Sequence, residues 1–386
     1  MKIKDAFNDK SIKVPFFAPE ITSEDKKAVL SALNSTLLTD GPKLREFENK
    51  FASFTGAKYA VGVSNATSAL HLSLKACGIG KGDEVIIPDM TFVATASAVV
   101  LAGATPVLAD IERKNFNISS ESIEENISSR TKAILPVHFA GKVCDIDKIR
   151  KIAKKHNLKL IEDSAHAIGT KFGDDHVGTF GDAGCFSFYP TKNITTIEGG
   201  MVITNSKDIA TYVRTLRNHG ILKSLSERYS KGRPWEYNVL EPGYNYRLDE
   251  IRSALGISQL KRINALNSKR KEAFAYYNNK LESSKGIITP SIPNDNSHSF
   301  HLYIIRVLKE QHGSSRDAVF KKLVKSGVRV SVHYKPIHQF TTFKKIVKIR
   351  GSLENTMQVY KEILTLPLYP QISRRLQDIV IKSILS

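Results

Sequence analysis

CFSFYPTKNITTIEGGMVIT occupies residues 185–204. Two apolar runs, GCFSFY at 184–189 and GMVIT at 200–204, flank small and polar residues that include Lys192 and end in Gly199-Gly200. Apolar runs of this length, bounded by Gly and Pro, read as strands buried on both faces. Most lysines are solvated surface charges. A lysine lodged between two such strands, at the expected edge of a sheet, is less ordinary. Loss of solvent lowers its pKa and makes the amine a nucleophile.

The same grammar extends toward the N-terminus. YAVGVS (59–64), EVIIP (84–88), PVLAD (106–110), AILPV (133–137) and LKLIED (158–163) read as strands. ATSALHLSLKACG and TFVATASAVVLAG, between them, read as helices closed by glycine. Strands alternating with helices predict an α/β fold, a large, mostly parallel sheet with helices on both faces. Past residue 245 the pattern changes. Leu248, Ile251, Leu255, Ile263 and Leu266 keep helical spacing, which predicts a long helix over Leu248–Leu281. HLYIIRV (301–307) and VRVSVHY (328–334) read as strands of a smaller C-terminal α+β unit. The chain divides near residue 260, into 1–260 and 261–386.

Two further segments carry chemistry. In VSNATSAL (63–70) a strand ends at Ser64, and Asn65, Thr67 and Ser68 open a helix. Free N–H groups at a helix start bind anions such as phosphate, although a plain Asn/Ser/Thr cap is commoner. In LIEDSAHAIGT (160–170), Glu162 and Asp163 end an apolar strand. Ligands of open α/β sheets bind beyond the carboxyl ends of strands, though an acid there is as often a helix cap.

Other patterns are excluded. GIGKGDE (78–84) precedes a strand instead of following one, and no G-x-x-x-x-G-K-[ST] occurs. His333 and His338, five apart, fit no zinc spacing, so no metal is expected. Cys185 has His166 nearby in sequence and nothing else of a thiol enzyme. The three cysteines, odd in number and without C-x-x-C, suit a reducing compartment. MKIKDAFNDKSIKVPFF lacks an apolar signal segment, and no run is long enough to span a bilayer. A cytoplasmic protein without membrane partner is expected. The net charge of +19 is dispersed in runs such as KIRKIAKKHNLK and KRINALNSKRK. These read as exposed helix faces, not as a nucleic-acid surface.

Taken in order, the segments resemble the DegT/StrS-type sugar aminotransferases. LTDGPKLREFE (38–48), SNATSAL, PDMTFVATA, IEDSAHA and SFYPTKNITTIEGG carry the resemblance first. RNHG (217–220), GYNYRLDEIRSALG (243–256), HLYIIR (301–306), VHYKPIH (332–338) and LPLYP (366–370) complete it. Several are weak alone; their joint order is specific.

The resemblance implies PLP fold type I, the aspartate-aminotransferase-like architecture, with pyridoxal 5'-phosphate (PLP) as cofactor and residues 1–260 as its domain. By position, Lys192 would bind PLP covalently and shuttle a proton, and Asp163 would pair with the ring nitrogen. Phe92 would stack on one ring face and Ala165 on the other, with His166 near the phenolic oxygen. Thr67, Ser68 and Ser187 would bind the phosphate. Asn245 would reach the phosphate of a neighbouring subunit, which implies a homodimer with shared sites. Related dehydratases carry histidine where Lys192 stands, so the lysine favours transamination. VHFAGKVCDIDKI and KNITTIEGG look most like enzymes that aminate carbon 4 of a UDP-linked 4-keto-6-deoxyhexose or a related pentose, with glutamate as donor. A regulator without turnover would carry an appended DNA-binding domain, for which the segment before residue 20 leaves no room.

Overall fold

The structure is a computed structural model that describes residues 11–222, 233 and 235–385. The part of the N-terminal reading that covers residues 1–10 lies outside them. The strands, in chain order, are β1 (Tyr59–Val63), β2 (Glu84–Pro88), β3 (Thr105–Ala109), β4 (Thr131–Ile134), β5 (Lys159–Asp163), β6 (Lys171–Phe172), β7 (Asp175–His176), β8 (Ala183–Ser187), β9 (Gly200–Thr204), β10 (Ile287–Ile288), β11 (Tyr303–Val307), β12 (Lys348–Ile349) and β13 (Ile363–Leu366).

Eight of these form one sheet in the order β1-β9-β8-β5-β4-β2-β3-β12. Only β9 runs against its neighbours, β1 and β8; the other pairings are parallel. The sheet is buried on both sides, so its strands are continuous apolar runs, and alternation sorts their side chains between two cores. Val61, Val63, Cys185 and Val202 enter one core with the helices Ala66–Ala76, Val93–Leu101 and Lys207–Leu216. Ala60, Phe186, Met201 and Ile203 enter the other with Pro42–Thr55 and Glu250–Leu260. There Phe51 lies 5.1 Å from Phe186 and 5.5 Å from Phe188, ring centre to ring centre. Each such buried ring stabilises the fold by roughly 1.5–3 kcal/mol.

A second, three-stranded antiparallel sheet has the order β10-β11-β13. It packs with Phe274 and Tyr277 of the helix Ile263–Leu281 and with Val380 of Arg374–Leu385. A division near residue 260 remains our proposal, and two segments cross it. Val14 belongs to this second core and bridges to Val328. β12 leaves the second unit to pair with β3 of the large sheet. An ionic clasp holds it there. Glu84, at the start of β2, is buried and accepts from Lys348 at 2.8 Å, Arg350 at 2.7 Å and Ser128 at 2.6 Å.

Three expectations are corrected. The predicted helix over Leu248–Leu281 is two helices, Glu250–Leu260 and Ile263–Leu281, broken at Lys261 and Arg262. Arg262 leaves helical geometry (φ −106°, ψ 2°), and its guanidinium binds Glu20 at 2.6 Å and Asp25 at 2.8 Å. VRVSVHY forms no strand; only Val328 and Ser331 make single bridges, to Val14 and Thr365. β8 and β9 are also interior strands of the sheet, so Lys192 lies beyond their ends and not at a lateral edge.

Candidate active site

Asp163 is the last residue of β5 and is buried. One carboxylate oxygen accepts the Ala165 N–H at 3.2 Å, and the other the Thr95 hydroxyl at 2.9 Å. Burial pushes its pKa up; the two donors and the Lys192 charge oppose that. Glu162, one residue earlier, points to the other face of the sheet. It accepts from His138 at 2.9 Å and from the N–H groups of Gly178, Phe180 and Gly181 at 2.7, 2.8 and 2.9 Å. Of the two acids, Glu162 is spent on holding that turn.

Lys192 follows β8 in a tightly fastened loop. Its N–H donates to Tyr189 O at 2.9 Å. Asn193 donates to Asn267 and to Ser299 O at 2.6 and 2.7 Å, and the Thr195 hydroxyl donates to Phe188 O at 3.0 Å. Burial brings the Lys192 pKa down to about 8, against the pull of the Asp163 carboxylate. About a tenth of the amine is therefore neutral at pH 7, far more than for a solvated lysine.

Anion-binding geometry stands at the end of β1. Asn65 caps the helix Ala66–Ala76, accepting from Ser68 N at 2.8 Å and Ser68 Oγ at 3.0 Å. Ser64 Oγ lies 3.0 Å from Ser68 Oγ. The segment is thus an ordinary cap, and it also presents the N–H groups of a first helical turn. Gly200 pairs with Val63 on one side and Ser187 on the other, which brings Ser187 beside this loop. A Cβ on Gly200 would stand 2.5 Å from the Asn65 carbonyl, so the close approach requires glycine.

Phe92 is the residue at the start of the helix Val93–Leu101 and is 54% exposed. It lies 5.7 Å from the ring of Tyr334. The Tyr334 hydroxyl is in turn 3.1 Å from His166 Nε2. His166 is buried beside Ala165; its ring centre is 4.5 Å from that of His301, and its Nδ1 has no partner. Burial first holds both imidazoles well below their usual pKa and hence neutral; the Lys192 charge adds to it at His166, and His166 and then Lys192 add to it at His301. Tyr334 and His301 had no role from sequence; the VHYKPIH and HLYIIR segments were the only signal. The loop bearing Tyr334 is fixed to the end of β2 by His338, whose Nδ1 lies 2.6 Å from Asp89. His333 is 2.9 Å from the Thr365 hydroxyl, so the two histidines have separate protein partners.

Asn245 is exposed. Tyr244 and Tyr246, on either side, stack on each other at 4.9 Å and pack against His71, which turns Asn245 the opposite way. Tyr246 O accepts from Ser64 N at 2.8 Å, so the segment abuts the loop of its own chain.

The lysine, acid, aromatic face and helix start are thus gathered at the carboxyl ends of β1, β2, β5 and β8. The sequence profile of the DegT/DnrJ/EryC1/StrS aminotransferase family matches residues 19–385. The chain belongs to that family. It is 40% identical over 373 residues to the spore coat polysaccharide biosynthesis protein SpsC of Bacillus subtilis, covering 96% of each chain. The solved structure of Helicobacter pylori PseC, an aminotransferase involved in the biosynthesis of pseudoaminic acid, is 34% identical with a TM-score of 0.89, over 96% of this chain and 98% of that one. Spr1654 of Streptococcus pneumoniae, solved in its PLP form, is 31% identical with a TM-score of 0.88, over 96% and 97%. Enzymes of the DegT/DnrJ/EryC1/StrS family are PLP-dependent sugar aminotransferases of fold type I, and this chain has their fold, cofactor dependence and activity class. No helix among the described residues is long and apolar enough to cross a membrane.

Proposed function

We propose that this sugar aminotransferase acts on a nucleotide-linked 4-keto sugar, a UDP-4-keto-6-deoxyhexose or a close relative, with glutamate as amino donor. The observation that carries the reading is Lys192: an amine with a pKa of about 8, in a pinned loop beyond β8, under the field of Asp163. The groups fit PLP chemically. Lys192 would hold it covalently, Asp163 would pair with its ring nitrogen, and Phe92 and Ala165 would pack on the ring. His166 would lie near the phenolic oxygen, and Thr67, Ser68 and Ser187 would bind the phosphate. A neutral His166 adds no positive charge beside the amine that must attack.

When bound, PLP supplies a carrier for the amino group and a ring that withdraws electrons. Asp163, ionised, keeps the proton on the ring nitrogen. Lys192 Nζ moves a proton to and from the reacting carbon. The net exchange replaces the sugar's ketone oxygen by the donor's amine, and the donor leaves as its keto acid. SpsC and PseC, by their names, serve spore coat polysaccharide and pseudoaminic acid synthesis, which supports an amino-sugar product destined for a surface glycan. Lys192 argues against dehydration. We further propose a cytoplasmic homodimer in which Asn245 reaches the partner's phosphate.

The test is a panel of nucleotide keto sugars with glutamate, read by mass spectrometry. The 4-keto substrates should return the amino sugar with matching 2-oxoglutarate. Amination of 3-keto sugars alone overturns the ring position, and activity with other donors but not glutamate overturns the donor.

A further inference from the structure

Thr91 and Thr95 are both buried, and neither has a role in the scheme above. Thr95 lies in the first turn of the helix Val93–Leu101, and Thr91 is four residues before it. Threonines near helix starts commonly turn their hydroxyls back to the carbonyl three or four residues earlier. Here the Thr95 hydroxyl is directed across to Asp163 Oδ2 at 2.9 Å, and the Thr91 hydroxyl lies 2.8 Å from that of Thr95.

Counting protons fixes the direction of this chain. A threonine hydroxyl has one proton, and an ionised carboxylate only accepts. The Thr95 proton therefore goes to Asp163, and the hydrogen bond between the threonines has to use the Thr91 proton. Donation from Thr91 polarises Thr95 and strengthens its bond to the acid. Together with the Ala165 N–H, each oxygen of Asp163 has one fixed donor, leaving its remaining lone pairs for a partner.

We infer that Thr95, backed by Thr91, is a positioning residue that keeps Asp163 ionised and aims it at the cofactor's ring nitrogen. The inference rests on the reading that Asp163 faces that nitrogen. Burial pushes the acid toward its neutral form, and a neutral acid cannot hold a proton on the ring. Removing the Thr95 donor makes the carboxylate more basic, so the shared proton moves from the ring nitrogen to Asp163.

The test is the ¹⁵N chemical shift of the ring nitrogen in holoenzyme loaded with ¹⁵N-labelled PLP. Wild type and Thr95→Ser should show a protonated nitrogen. Thr95→Val, which keeps the shape and loses the hydroxyl, should move the signal toward the unprotonated position. Its kcat should fall about ten- to a hundredfold, the range for a hydrogen bond to a charged group, with little change in KM for the amino donor. Thr91→Val should move the signal the same way by less, and it carries the test if Thr95→Val does not fold. A protonated signal in Thr95→Val, whatever its rate, overturns the inference; an unmoved signal in Thr91→Val overturns the relay. Asp163→Asn is the control. If it leaves the nitrogen protonated, the assignment of Asp163 itself is wrong, a failure distinct from that of Thr95.

Discussion

Tyr334 places its hydroxyl 3.1 Å from His166 Nε2, across 168 residues of sequence. This contact joins the C-terminal third of the chain to the turn that follows the acid. Tyr334→Phe should leave the fold intact and lower the free energy of unfolding by about 1–3 kcal/mol, the cost of a buried group losing its partner. Urea denaturation of the two proteins checks this, and an unchanged midpoint refutes it.

Borohydride treatment of the PLP-loaded protein should fix the cofactor on Lys192, as peptide mapping will show. Lys192→Ala should lose activity by at least about a thousandfold, since it removes both the covalent anchor and the proton carrier. Asp163→Asn should still bind PLP and turn over far more slowly. Label on another lysine, or wild-type turnover in the Asn variant, contradicts the assignment.

Glu84 makes a prediction about acid stability. Burial raises its pKa, but bonds from Lys348, Ser128 and Arg350 outweigh this and bring it down to about 2, from 4.5. A carboxyl whose folded pKa is depressed adds stability that is complete above its unfolded value. That stability is lost as the pH falls through the folded value. The clasp should therefore contribute about 3 kcal/mol above pH ~4.5, lost between there and pH ~2. Glu84→Gln should be less stable at neutral pH and should lack this acid-dependent step. Parallel acid titration curves for the two proteins count against the clasp.

Gly200→Ala should weaken PLP binding while leaving most of the fold in place. The new methyl would stand 2.5 Å from the Asn65 carbonyl and push the Ser64–Ser68 loop out of position. Titration of apoprotein with PLP reads the affinity; an unchanged Kd removes the loop from the phosphate site.

Lys192→Ala and Asn245→Asp should each be inactive alone. The first lacks the amine, and in the proposed dimer the second would set an anion against the partner's phosphate. In mixed dimers one site carries both lesions and the other carries neither. Each mixed dimer should regain up to about half the activity of a normal dimer, by two-fold symmetry, so an equal mixture after full exchange should reach about a quarter of normal. If proven exchange restores nothing, Asn245 acts within its own chain or not at all.

Much of the large sheet was legible because burial on both faces left the middles of strands such as β2 and β9 continuously apolar, between glycine and proline stops. Lys192 and Asp163 were legible for the same reason: each stands where such a run ends. The break at Arg262 was not, because its cause, Glu20 and Asp25, lies about 240 residues away. VRVSVHY alternates as a strand should, but its neighbours Val14 and Thr365 offer one bridge each and no ladder. Tyr334 and Thr95 stayed hidden because a hydroxyl declares its role only through the tertiary partner it finds.

Besides the pairing of β12 with β3, side chains tie the stretch from His338 to Thr356 to the large sheet at three places. His338 meets Asp89, Lys348 and Arg350 meet Glu84, and Thr356 donates to Asp110 at 2.8 and 2.7 Å. This has a consequence for anyone building chimaeras to exchange sugar preference between relatives. A splice at residue 260 would import a foreign strap whose side chains must find Asp89, Glu84 and Asp110 on a host that was never matched to them. Swaps that move those three acids together with the strap should assemble, and swaps that separate them should fail before any question of substrate arises.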